Sequence, residues 1–137
     1  MVEANTQKTD RIFKNLHLMQ MVAYRLPLAG KVSILHRVSG ALLFLLLPYA
    51  LYLFGQSLAS GLSFATLKGF FAHFWVKAMV LVLAWAFLFH FFAGIRHLMM
   101  DFHIASTKKG GARTAASVLV LSSVLTGAVA LKLWGGF

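Results

Sequence analysis

The chain has 137 residues, of which 60% are hydrophobic and only 12% charged, with a mean hydropathy of +0.80. A soluble domain is about half apolar and about a quarter charged, so lipid rather than water is the solvent for most of this chain. A formal charge of +10, carried by 13 Lys and Arg against Glu3, Asp10 and Asp101, belongs to residues that flank apolar runs; it does not form the basic stripe of a nucleic-acid binder. The absence of cysteine excludes disulfides, thiolate zinc sites, cysteine-ligated iron–sulfur clusters and covalent c-type haem within this sequence.

Residues 1–30 are polar and basic, with Lys8, Arg11, Lys14 and Arg25, and lack the short apolar core of a secretory signal. They read as a cytoplasmic arm. The first uncharged run opens after Arg37 and predicts a helix over about 31–58, with Pro48 tolerated mid-span. Gly55, Gln56, Ser57 and the Ser60-Gly61 pair mark its far end as a short polar turn. Phe70, Phe71, Phe74 and Trp75 look like an interfacial aromatic belt leading into a second helix, about 72–100. A third helix is expected over about 112–134, closed by Trp134.

The fold class is therefore an all-α membrane protein of one domain, residues 1–137, with three transmembrane helices. Ten of the 13 basic residues fall in the N-terminal flank or the loop between the second and third spans, which places both inside, with the N-terminus inside and the C-terminus outside. Three helices enclose little interior. An ionisable side chain within them therefore faces another chain more readily than a cavity of its own.

His90 is such a side chain. It lies deep in the second span, where an ionisable group persists only with a partner or a task. His97 follows two turns later on the same face and Gly94 lies between them, so a flat ring system could approach the backbone there. A b-type haem fits the layout, with iron at His90 and propionates toward Arg96, His97 or the Arg37 region. An imidazole that only hydrogen-bonds another helix fits it as well. Ser33, His36 and Arg37 form a second cluster on one face where the chain enters the membrane. Hydroxyl, imidazole and guanidinium donors at that depth suit a quinone, whose carbonyls need donors and whose tail needs lipid; they also suit an interfacial anchor. No Ser/His/Asp set, paired carboxylates or phosphate loop occurs, so no catalytic residue is assigned.

Two stretches carry a likeness. Ser33-Ile-Leu-His-Arg-Val-Ser-Gly40, followed by a first span, and His90-Phe-Phe-Ala-Gly-Ile-Arg-His-Leu-Met-Met-Asp101, ending a second, resemble the cytochrome b556 membrane-anchor subunits of bacterial succinate dehydrogenases. The likeness covers about residues 24–105. It departs from the family in the arm, where Ile12–His17 lacks an Arg-Pro that many members have, and at Leu98, where the family's run has methionine.

The resemblance implies a three-helix anchor that pairs with a second three-helix anchor and shares one haem b with it. His90 would be this chain's axial ligand, and the second anchor would supply the other axial histidine. Ser33 and Arg37 would bind ubiquinone, while His36, Arg96 and His97 would lie near the haem propionates. An iron–sulfur subunit and a flavoprotein would dock on the cytoplasmic face of the bacterial inner membrane. The chain itself would not oxidise succinate, having neither a flavin fold nor cluster ligands. A purely structural haem-free anchor and a small transporter subunit are the alternatives; the lack of any acid inside a span argues against transport.

Overall fold

The computed structural model describes residues 26–104 and 107–135. Most of the basic arm, with His17 and the Ile12–His17 stretch, lies outside the described residues. Four helices follow in order: α1 Leu28–Ala59, α2 Gly61–Ala72, α3 Phe74–Asp101 and α4 Lys108–Trp134. Of these, α1, α3 and α4 are long and apolar enough to cross a membrane. At about 1.5 Å per residue their 32, 28 and 27 residues measure roughly 40–48 Å, longer than the ~30 Å hydrocarbon layer, so each extends into the headgroup zone.

The helix ends follow local chemistry. Pro27 precedes the first turn of α1, where its carbonyl accepts from Gly30 and Lys31. Pro48 sits inside α1 without ending it. Thr107 caps α4, its Oγ1 accepting from the Gly110 amide at 3.1 Å. The end of α3 is a Schellman turn. The Ile104 amide donates to the Met99 carbonyl at 3.0 Å and the His103 amide to Met100 at 2.9 Å, with His103 at φ 60°. Glycine usually fills that left-handed position; a residue with a Cβ is strained there by about 1–2 kcal/mol.

One element differs from the sequence reading. The stretch expected as a polar turn and aromatic belt contains a 12-residue helix, α2. Ser60 is its N-cap and accepts from the Ser63 amide at 3.1 Å, while the Ser63 hydroxyl ties back to the Gln56 carbonyl of α1. The Ser60-Gly61 pair breaks α1 and in the same step starts α2. His73, in extended conformation, separates α2 from α3.

Packing is uneven. α3 and α4 are the most intimate pair, and α1 leans more on α3 than on α4. The buried core is Val32 of α1, Phe89 and Ala93 of α3, and Ala115 and Val118 of α4, near the end that carries the basic residues. On α4 the buried residues Ala115, Val118, Ser122 and Thr126 make one stripe of small side chains. Such a stripe lets membrane helices approach closely. The Ser122 and Thr126 hydroxyls return to the carbonyls of Val118 and Ser122 at 2.8 and 2.7 Å, so the stripe is polar in composition but satisfied within its own helix. At the opposite end Lys77 Nζ donates to the Leu133 carbonyl at 3.0 Å, binding the start of α3 to the end of α4. Along the rest of its length α1 exposes large apolar side chains, among them Phe44, Leu45, Leu51 and Phe54.

Candidate functional site

α3 carries two faces with different tasks. Phe89, Ala93 and Arg96 turn to α4 and are buried, whereas His90, Gly94 and His97 turn to α1. The division follows from helix geometry. Seven residues rotate a helix by about 700°, leaving His97 about 20° from His90; six rotate it by about 600°, leaving Arg96 about 120° away.

Three imidazoles from two helices form one column. His36 of α1 stacks on His90 with ring centroids 4.3 Å apart and planes 18° from parallel. His97 lies on the other side of His36, centroids 5.0 Å apart and planes tilted by 38°. All three are half-buried. Gly94 faces His36: a Cβ there would meet His36 Nε2 at 3.7 Å, an ordinary contact.

His90 is held through one nitrogen. Its Nδ1 lies 3.1 Å from the His36 carbonyl oxygen and 3.2 Å from Ser39 Oγ, while the Ser39 hydroxyl donates to the same carbonyl at 2.9 Å. A carbonyl oxygen only accepts, and the Ser39 proton is already directed to it. The carbonyl contact thus favours the hydrogen on Nδ1, with Ser39 Oγ as a second oxygen beside it. In a neutral imidazole this leaves Nε2 with its lone pair. Gly40 fixes how close the ring lies to α1, because a Cβ on it would fall 2.7 Å from His90 Cε1.

From His90 an apolar groove runs between α1 and α3 away from the basic end. It has a volume of about 600 Å³ and is lined by Leu43, Leu46, Leu47, Ala50, Leu83 and Phe87 among others. No group of three or more His, Cys, Asp or Glu side chains among the described residues is arranged to cage a metal ion. The donor set instead suits a metal that brings its own macrocycle: one imidazole held at Nδ1 beside an apolar slot. Haem iron asks a chain for one axial nitrogen in this way. A metal-binding histidine usually donates its other ring N–H to a carbonyl or carboxylate, the position the His36 carbonyl holds here.

Of the other residues singled out from sequence, Ser33 is half-buried and Arg37 exposed on α1, one turn apart at the basic end. Arg96 is not in the histidine column. It is 3% exposed, its Nε donating to Thr114 Oγ1 at 3.2 Å and its Nη2 to the Gly111 carbonyl at 3.4 Å, both on α4. The sequence reading set it near the propionates by helical rise; the rotation from His90 turns its side chain to α4. That reading also passed over Ser39 and Gly40, which lie within the motif it quoted. Their neighbour is 50 or more positions away, and only the α1–α3 contact brings it to them.

Comparison with known proteins agrees with this architecture. Residues 14–129 match the family model described as succinate dehydrogenase/fumarate reductase transmembrane subunit. A succinate dehydrogenase cytochrome b556 subunit from Coxiella burnetii is 35% identical over 117 residues, covering 85% of this chain and 94% of that protein. A mitochondrial succinate dehydrogenase cytochrome B subunit from Schizosaccharomyces pombe is 30% identical over 134 residues, covering 94% of this chain and 74% of that one. With three apolar helices of spanning length, a family match over most of its sequence and a bacterial relative matched nearly end to end, this chain belongs to the succinate dehydrogenase/fumarate reductase transmembrane subunit family.

Proposed function

We propose that this chain is the haem b- and quinone-binding membrane anchor of a bacterial succinate:quinone oxidoreductase. His90 provides one axial nitrogen through Nε2, and a second anchor subunit provides the other. An iron–sulfur subunit and a flavoprotein dock at the basic end, which faces the cytoplasm, and electrons pass from the cluster subunit to ubiquinone. The observation that carries this reading is His90, with Nδ1 set against the His36 carbonyl and Ser39 Oγ, beside an apolar groove.

When bound, haem b supplies a one-electron iron centre inside the membrane. The chain's own residues do the rest. The apolar lining of the groove makes the space beside His90 unfavourable for water. His36 and His97, in the same column, would serve as donors to the propionates of a bound haem. Arg96 secures α4 against α3 from the opposite face, so its positive charge stands behind the column rather than in it. Arg37 and Ser33 hold a quinone carbonyl by donating to its oxygen, and a cationic donor there stabilises the negative charge that grows on that oxygen during reduction.

The test is the assembled complex, purified from membranes with this chain co-expressed beside its partners. Pyridine haemochromogen analysis is expected to give one haem b per copy of this chain. An intact, quinone-reducing complex without haem would overturn the reading in favour of a purely structural anchor.

A further inference from the structure

Ser39 is 7% exposed, one of the few buried polar side chains, and it stands between the two helices that form the histidine column. A serine inside a helix commonly spends its hydroxyl on the carbonyl three or four residues back, as this one does on His36 at 2.9 Å. Its oxygen keeps lone pairs, and one of them is aimed at His90 Nδ1 at 3.2 Å. The carbonyl that receives the serine proton is the same one that receives the His90 proton at 3.1 Å. The three groups close a ring of contacts, and a hydrogen on Nδ1 satisfies both oxygens that face it.

We propose that Ser39 is a positioning residue that sets the electron-donating strength of His90 toward haem iron. The proposal rests on the assignment of His90 as an axial ligand. An imidazole that shares its Nδ1–H with two oxygens carries more electron density on Nε2 than one bonded to a single carbonyl. A richer Nε2 favours the ferric over the ferrous state and so lowers the reduction potential. It also holds the metal more firmly; removing such a partner commonly costs roughly ten- to a hundredfold in metal affinity. Ser39 therefore acts on the iron without touching it, from a different helix than the ligand.

The experiment compares Ser39→Val with Ser39→Thr in the assembled complex. Val and Thr have the same shape, so the pair differs by the hydroxyl alone, and any effect of the added methyl is common to both. The readouts are the haem midpoint potential by redox titration and the rate of haem transfer to apomyoglobin; neither depends on turnover. Ser39→Val is expected to raise the midpoint potential and to speed haem loss about tenfold, while Ser39→Thr stays near the wild-type protein in both. Haem retained by Ser39→Thr and absent from Ser39→Val would support the proposal in its strongest form. Equal shifts in the two variants, no shift in either, or loss of haem from both would overturn it. His90→Ala is measured in parallel. A variant of that kind that still binds haem b would remove the axial assignment itself, an outcome separate from a failure of Ser39.

Discussion

Gly40→Ala tests the α1–α3 contact at its tightest point. The new Cβ would lie 2.7 Å from His90 Cε1. Carbon atoms in comfortable contact are about 3.5–4.0 Å apart, so the ring must retreat by roughly 0.8–1.3 Å. The Nδ1 contacts, at 3.1 and 3.2 Å, have only a few tenths of an ångström before they leave hydrogen-bond range. The retreat therefore strains packing by about 1–3 kcal/mol and loosens a hydrogen bond worth about 0.5–1.5 kcal/mol. Better helix propensity returns up to about 1 kcal/mol. The net loss, about 0.5–3.5 kcal/mol, falls on the ligand and weakens haem retention roughly 2- to 400-fold. Gly55→Ala is the control, since a Cβ there meets nothing within 4 Å. The assay is haem content per complex together with thermal stability in detergent. Wild-type haem content and stability in Gly40→Ala would refute the argument that this glycine sets the approach of His90 to α1.

Further outcomes are expected elsewhere in the molecule. Arg37→Ala and Ser33→Ala should each lower quinone reduction, Arg37 by roughly 10- to 150-fold for a charge-assisted hydrogen bond of about 1.5–3 kcal/mol, while succinate oxidation with a soluble artificial acceptor persists. Unchanged quinone kinetics in both would remove that assignment. Arg96→Ala should destabilise the α3–α4 pair by about 1.5–3 kcal/mol in thermal unfolding, because it deletes donors to Thr114 and Gly111, yet leave the haem potential of the folded complex near the wild-type value. A large shift in potential without loss of stability would place Arg96 in the haem environment instead. His103→Gly should stabilise the turn after α3 by about 1 kcal/mol, since φ 60° at this position favours glycine, and a lower melting temperature would contradict the strain assigned there.

The three spans are legible because lipid imposes long uncharged runs, and these stand out in the sequence whatever the tertiary contacts. Their ends are less legible. α4 begins at Lys108, inside the charged segment that was expected to precede it, because lysine and arginine remain helical while their long side chains reach toward the interface. α2 was hidden by a residue with two meanings: Ser60, read as part of a turn, is also a helix N-cap. Within the site, spacing along one helix is enough to put His90 and His97 on a shared face. It gives no information on what that face meets. The stacking of His36, the Ser39 contact with His90 Nδ1 and the limit set by Gly40 all belong to contacts between residues 50 or more positions apart in sequence. Arg96 shows the reverse case: its turn toward α4 follows from the rotation that spacing along one helix already contains.

The most direct measurement is the dithionite-reduced minus oxidised absorbance spectrum of the purified complex carrying His90→Ala. The account predicts that the b-type band of the wild-type complex is lost or strongly diminished while the dehydrogenase subunits still oxidise succinate with a soluble acceptor. A band of full intensity and unchanged position in that variant would contradict it.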